Sequence, residues 1–449
     1  MSTSDRDIEK RRKHLEALAT EGDVAGLREH AAELHPSDLA DLVELLTEAQ
    51  QIELLSELPT ELASDTLAEM EEGEERGDLL AALTPEKGAE LLRELPDDDA
   101  VDLIGELEPD EQSKILAALP TDEAGELKGL LEYDEETAGG LMTTELVEVQ
   151  ARLTAGQAIE EVRVQGQGVE DFYTVFVVDG RRKLLGTLRL DDLVIANPGE
   201  SIEALVEEPV ATVRPEVDQE EVGRLIARYN LASIAVVSEE GELLGRITFD
   251  DVIDVIEAEQ TEDIFRLAGV TGEDELKHTW VQSVRTRLPW LLLNLVTASL
   301  AASVILMFEE TIDAVITLVF IAPIIAAMGG SSGTQSLAVT IRRITVQGSG
   351  SASGFVAKEI LIGLVNGAVL GGGIALIAVL LDGEAMLGVV VFLAMWGNQV
   401  VAGFAGAFIP TSLDRMGIDP SVASSVFVHT LTDLCGFFLL LGLASKLLL

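Results

Sequence analysis

The residue with the clearest chemical implication is a carboxylate in apolar surroundings. Asp433 sits in His429-Thr430-Leu431-Thr432-Asp433-Leu434-Cys435-Gly436, inside an apolar run long enough to cross a bilayer. A charge at mid-span costs about 3 kcal/mol on insertion scales, and no basic residue lies nearby in that run. A cation held on a wet path would offset this cost, and acids contributed by several copies are a known way to select cations. The structural alternative is a buried acid hydrogen-bonded to its neighbours. Softer candidates surround it. Gly329-Gly330-Ser331-Ser332-Gly333-Thr334-Gln335-Ser336 is glycine-rich backbone at membrane depth, which either lines a cavity or packs helices closely. Asn366, Asn398 and Gln399 line a path or bridge helices. His429, one helical turn before Asp433, suits a metal ligand or a helix–helix hydrogen bond. Gly330, Ser331, Thr334, Asn398, Ser425, His429 and Thr432 form the pore-lining set. Cys435 reads as packing, and Glu359 beside Lys358 as interfacial.

A second group of acids lies outside the apolar runs. Glu259, Glu262 and Asp263 fall at i, i+3, i+4 and share a helix face, as do Asp251 with Asp254 and Asp98 with Asp102. Like charges at that spacing destabilise a helix by a few tenths of a kcal/mol per pair. A divalent cation between two such faces reverses the sign. Magnesium suits it, because it prefers carboxylates and keeps several waters.

These residues need two different bodies to position them. The 449 residues carry 30 bases and 79 acids, yet 47% are hydrophobic. Residues 1–280 hold 70 acids and 23 bases, whereas residues 281–449 hold 9 and 7. The first part reads as an acidic soluble region, its surface charge fitting a high-salt adaptation, and the second as membrane. A net charge of −49 disfavours nucleic acid. One cysteine excludes an intramolecular disulfide. The charged start, Met1–Lys13, lacks a signal-peptide core. No nucleophile, base and orienter recur at plausible spacing, so an enzyme is not expected.

Residues 5–131 show helical periodicity. Pro59, Pro85, Pro96, Pro109 and Pro120 each open a helix of two to three turns, a position where the missing N–H costs nothing. Such short helices stack into an array. Residues 133–258 switch to β-branched runs, Thr174–Val178 and Ser233–Val237, each followed by a turn and a second strand (Leu184–Leu190, Leu243–Phe249). Helices flank both pairs, so the unit is duplicated about 60 residues apart. The paired units resemble tandem CBS domains, whose second strand and following helix read G-x-[ILV]-[ST]-x-x-D. Gly245, Ile247, Thr248 and Asp251 match. Gly186, Leu188 and Asp192 match with Arg189 in the hydroxyl place. That resemblance implies adenine-nucleotide binding, with Thr248 and Asp251 on the ribose; a purely structural or metal-responsive pair is the alternative. Residues 262–285 read as one or two amphipathic helices leading to the membrane. Five apolar spans follow, near 289–308, 314–338, 357–381, 385–411 and 421–448. Arg285, Arg287, Arg342, Arg343, Lys358 and Arg415 lie on one side and Glu309, Glu310, Asp313, Asp382 and Glu384 on the other. Positive-inside places the N-terminus in the cytoplasm and the C-terminus outside.

An acidic helical domain, a CBS pair, a connecting helix and five spans in this order resemble the MgtE family of magnesium channels. Four local matches carry the resemblance. They are Tyr133-x-x-x-Thr137-Ala138-Gly139-Gly140-Leu141-Met142-Thr143, Ala258-Glu259-x-Thr261-Glu262-Asp263-Ile264, Gly417-Ile418-Asp419-Pro420 and Thr432-Asp433-x-x-Gly436. The resemblance implies a multidomain membrane protein: an all-α superhelical domain over 1–132, an α/β CBS pair over 133–260 (137–200 and 201–260), a connecting helix over 261–287 and a five-helix pore domain over 288–449. It implies a homodimer in the plasma membrane with the pore at the subunit interface. There Asp433 holds hydrated Mg²⁺. The metal-sensing acids carry over onto Asp98, Asp102, Asp218, Glu220, Asp251, Asp254, Glu259, Glu262, Asp263 and Asp419. The expected function is voltage-driven Mg²⁺ uptake gated by cytosolic Mg²⁺, with ATP or another adenine nucleotide at the CBS domains. The chain departs from the family at Ser331 or Ser332, where Asn is usual, at Ser425-Val426, where Asn or Gly precedes Pro, and at Asn230, where a sensor acid stands. Two alternatives stay open: a broader path for Mn²⁺, Co²⁺ or Ni²⁺, and a membrane-anchored Mg²⁺ or nucleotide sensor without flux.

Overall fold

The computed structural model describes residues 13–71, 73–169, 172–270, 280–347, 352–422 and 425–449. The chain divides into two compact units, Met1–Ile256 and Glu257–Leu449.

The first unit begins with short helices: α1 (13–21), α2 (Val24–Ala31), α3 (Pro36–Val43), α4 (Glu48–Glu57), α5 (Thr60–Ala68), α6 (Glu74–Ala82), α7 (Pro85–Leu92), α8 (Asp97–Gly105), α9 (Pro109–Ala118) and α10 (Glu123–Leu130). Proline takes the first turn of α3, α7 and α9, and the N-cap of α5 and α8. Pro120 lies two residues before the Asp122 cap of α10. Side chains close other ends: Asp23 accepts from the Gly26 N–H at 3.0 Å, and Thr47 with Gln50 forms a capping box. Each helix packs mainly on the one two places further on, α3 on α5, α5 on α7 and α7 on α9. That spacing winds the array into a superhelix and buries Leu27, Leu39, Leu54, Leu67, Leu80, Leu91 and Leu103 along its axis. A buried ion pair pins α6 to α8: Arg76 is 4% exposed and reaches Glu106 at 2.8 Å.

Two three-stranded sheets follow, ordered β1-β2-β3 and β4-β5-β6. Their strands are β1 Glu148–Gln150, β2 Thr174–Val178, β3 Leu184–Arg189, β4 Thr212–Val213, β5 Ser233–Val237 and β6 Leu243–Thr248. In each sheet the first pair is parallel and the second antiparallel, with a bulge at the same point, Val177/Val178 and Val236/Val237. The duplication expected from sequence is therefore present down to the register. β1 and β4 were not anticipated; at three and two residues they are too short to show a period. Val175 and Val177 enter the core of the first repeat, while Phe176 and Val178 meet Ala235 and Leu243 between the repeats. Both faces of β2 are buried, hence its unbroken apolar run. Helices α11 (Ala155–Gln165), α12 (Leu190–Ile195), α13 (Ile202–Leu205) and α14 (Gln219–Tyr229) cover the sheets.

The second repeat, not the first, shares its core with the helical array: Ile234, Val236, Ile247 and Val252 are continuous with Leu103 and Leu130 through Ala138 and Met142. The glycine motif makes that junction. A Cβ on Gly139 would stand 2.6 Å from the Tyr133 ring, and one on Gly140 2.6 Å from the Asp134 carbonyl. The segment then bonds along the second repeat, Ala138 N–H to Val217 O (2.7 Å) and Thr143 N–H to Arg246 O (2.9 Å).

Helix α15 (Phe249–Leu267) runs through residue 260, where the CBS pair is expected to end. The connecting helix expected over 261–287 is the end of α15 and the start of α16 (Trp280–Leu306); residues 271–279 lie outside the described residues. Among the described residues five helices are long and apolar enough to cross a membrane: α16, α18 (Thr317–Gln347), α19 (Ala352–Asp382), α20 (Ala385–Arg415) and α21 (Ser425–Leu447). A short helix, α17 (Glu309–Ala314), sits between the first two. Glycines set the spacing. Cβ atoms on Gly363, Gly403 and Gly406 would lie 2.4, 2.4 and 2.5 Å from the carbonyls of Gln399, Glu359 and Gly333. Backbones approach closely there, as membrane helices do when small residues face each other.

Candidate functional site

In the membrane unit, the glycine-rich turn of α18 packs against α20 and α21. A Cβ on Gly329 would meet Asn398 Nδ2 at 2.3 Å, and one on Gly330 the His429 ring at 2.4 Å. Neighbouring side chains pack closely on Gly329, Gly330 and Gly333. Asn398 is fully buried and donates to the Ile325 carbonyl at 3.1 Å; Gln399, also fully buried, donates to the Met328 carbonyl at 3.0 Å. Asn398 Oδ1, Gln399 Oε1 and Thr334 Oγ1 are buried without a partner. Thr432 is buried and bonds back to Val428 O and His429 O. Ser331 is exposed, while Ser425 is half-buried and its carbonyl meets His429 Nδ1 at 2.7 Å. Asp433 is half-buried on α21, one helical turn on from His429. Among the described residues no lysine or arginine pairs with it. Glu359 is 6% exposed, deeper than an interfacial residue.

The end of α15 meets the spans. Leu267 packs with Leu337, Ile341, Ala405 and Val428. Arg266 bonds Glu262 on its own helix and Asp419 in the turn before α21. Asp419 also accepts from the Ser421 N–H at 2.7 Å and hydroxyl at 2.5 Å. Burial and the nearby Asp419 push Asp263 up to about 6, with Arg342 opposing. The sequence reading named Glu262, Asp263 and Asp419 but missed Arg266 and Arg342. Glu259 is half-buried and Asp254 exposed on the same helix.

In the first unit, Asp98 and Asp251 come together. Burial, then Asp251 and Asp99, raise Asp98 well above the usual carboxylate range, and its Oδ1 is buried without a partner. Asp99 is pushed to about 6 by burial and Asp251. Asp251 is raised by burial and held back by Thr248, whose hydroxyl donates to it at 2.5 Å and N–H at 3.2 Å. The pair matched to a ribose site thus closes the start of α15. Asp97 takes the Thr144 hydroxyl. Arg246 is 5% exposed; burial lowers its basicity while Asp98, Asp250, Asp251 and Glu145 support its charge. Asp102 is half-buried one turn on from Asp98. Asp218 and Glu220 are exposed, and Asp218 caps α14 by accepting from the Glu220 N–H at 2.9 Å. Arg189 is exposed and pairs with Asp191. Among the described residues no three His, Cys, Asp or Glu side chains converge as a metal cage. Paired acids with a buried free oxygen fit a largely hydrated Mg²⁺ instead.

The family described as MgtE, a divalent cation transporter, matches residues 322–443; the MgtE intracellular N domain matches 34–136 and a CBS domain 202–258. The magnesium transporter MgtE of Thermus thermophilus is 33% identical over 451 residues, 98% of this chain and 99% of its own. The chain belongs to the MgtE family. The magnesium transporter MgtE of Enterococcus faecalis is similar at 36% identity over 314 residues, 69% of each chain. Among solved structures, the cytosolic domain of the Mg²⁺ channel MgtE in complex with ATP is 35% identical at a TM-score of 0.51, covering 54% of this chain and 99% of its own. The multidomain membrane architecture implied by the resemblance is therefore that of the MgtE family.

Proposed function

We propose that the chain forms a homodimeric plasma-membrane channel for Mg²⁺, driven by the inside-negative potential and closed by cytosolic Mg²⁺. The observation that carries this is Asp433, a half-buried acid midway along a membrane helix with no basic partner among the described residues. Two charges crossing 100 mV gain about 4.6 kcal/mol, so flux requires neither ATP hydrolysis nor a coupled ion. The relatives' printed names, magnesium transporter, support the ion. The acid pairs support the switch. At low Mg²⁺ Asp98 repels Asp251 and Asp263 repels Asp419, favouring separation. Bound Mg²⁺ reverses both repulsions, and α15, whose Leu267 packs on α18, α20 and α21, holds the spans closed. The switch is a two-state element biased by its own cargo. ATP at the CBS pair is supported by the ATP-bound relative; here Arg189 leaves the second repeat, with Thr248, as the better seat. The N-terminus and soluble region face the cytoplasm and the C-terminus lies outside.

The test is ion uptake into proteoliposomes under an inside-negative potential with internal Mg²⁺ held low. Mg²⁺ uptake that falls as internal Mg²⁺ is raised supports the reading. Uptake of Mn²⁺ in preference to Mg²⁺ transfers the assignment to a broader divalent path. No uptake of either ion leaves the sensor.

A further inference from the structure

Arg246 has no equivalent in the first repeat. The two repeats are superimposable in register: Ala235 pairs with Arg246 on β6 where Phe176 pairs with Thr187 on β3. Thr187 exchanges backbone hydrogen bonds with Glu207, on the segment that leads into β4. Arg246 exchanges them with Thr143, at 2.9 and 3.0 Å, and its Nε donates to the Glu145 carbonyl at 2.8 Å. The cation therefore stands where the segment leaving the helical array crosses the second repeat, the repeat whose core is continuous with the array. It is 5% exposed. The groups that face it are Asp98 from α8, Asp250 and Asp251 from the start of α15, and Glu145 from the crossing segment. An arginine stays charged in such a seat. Without it, Asp98 and Asp251 repel each other, and Asp99 and Asp250 add to the negative charge around them.

We propose that Arg246 is a tethered counter-charge that holds the acidic start of α8 against the acidic start of α15 when no divalent ion is bound. The array thus stays docked on the second repeat at low Mg²⁺ more firmly than its carboxylates alone allow, and Mg²⁺ has only the residual repulsion to overcome. Arg246 is a positioning residue, not a metal ligand. The first half of this statement is independent of Mg²⁺ sensing; the second rests on the regulatory reading above.

The test is amide hydrogen exchange on the full chain in detergent, comparing wild type, Arg246→Met and Arg246→Lys in EDTA and in 10 mM Mg²⁺, a concentration of order 10⁻² M chosen to saturate weak carboxylate sites. The peptides read are α8 (Asp97–Gly105) and 141–147. In EDTA, Arg246→Met is expected to exchange at least ~10-fold faster, with Arg246→Lys restoring most of the protection. In Mg²⁺ all three are expected to agree within about twofold, because the ion takes over the counter-charge. Unchanged exchange of Arg246→Met in EDTA overturns the proposal. Equal acceleration in EDTA and Mg²⁺, or a lysine variant no better than methionine, also overturns it, since packing rather than charge is then responsible. A wild type indifferent to Mg²⁺ removes the regulatory reading while the EDTA comparison still decides the role of Arg246.

Discussion

Asp99 offers a prediction opposite to the usual acid lability of proteins. Burial and the charges of Asp251, Glu69 and Asp250 push its carboxyl to about 6, against an ordinary value near 3.8, with Arg76 opposing. The folded state therefore binds the proton more tightly than the unfolded chain does. Stability contributed at this site is lost as pH rises from about 4 through about 6, and the deficit is complete above that. At ~1.4 kcal/mol per tenfold change in affinity, the deficit is at most about 3 kcal/mol; partial exposure brings the measured value to roughly 1–3. Asp99→Asn removes the charge and keeps the shape. In urea unfolding of the soluble region in EDTA, a region whose relative has been crystallised alone, the variant should match wild type at pH 4 and exceed it by about 1–3 kcal/mol at pH 7.5. A variant that is neutral or less stable at pH 7.5 refutes the electrostatic account of this corner.

Other perturbations follow from the same geometry. Arg76→Met strands Glu106 inside the array and should cost about 3–5 kcal/mol in urea unfolding, most of it recovered in the double variant Arg76→Met/Glu106→Leu; no recovery would mean that Arg76 acts through packing. Gly403→Ala places a Cβ 2.4 Å from the Glu359 carbonyl, a backbone atom that cannot turn aside, and should cost about 1–3 kcal/mol, read as a lower melting temperature in detergent. The acidic surface predicts that the soluble region melts higher in 1 M than in 0.1 M salt, as the Debye length falls from about 10 to about 3 Å; a salt-independent melting temperature contradicts surface self-repulsion.

Local grammar was legible where it is short-range. Prolines at 59, 85, 96 and 109 marked helix starts because a missing N–H is harmless only there, and β2 and β5 were plain because runs rich in β-branched residues, five β-branched or aromatic residues in β2 and three in β5, have few other uses. Length was harder. α15 runs past residue 260 to Leu267 because no glycine or proline interrupts it until Gly269. The described part of helix α16 begins at Trp280, ahead of the apolar span expected near 289, and carries Pro289 within it. The acids at 98, 251, 263 and 419 stood out by pattern, but Arg76, Arg246, Arg266 and Arg342 did not. Arg76 meets Glu106 and Arg266 meets Asp419 across 30 and 153 residues of sequence, and an arginine on a helix or strand looks like any solvated one until the fold brings such a partner to it. For Asn398 and Gln399 the sequence left a path lining and a helix bridge both open; each side chain donates to a backbone carbonyl of α18, as a carboxamide in an apolar span must find a partner.

The most direct test of the account is Mg²⁺ influx into proteoliposomes under an inside-negative potential, wild type against Asp433→Asn, with internal Mg²⁺ kept low. Conduction by the wild type and its loss in the variant, with the melting temperature unchanged, is the predicted result. Equal influx through both proteins would contradict it and move the ion path away from α21.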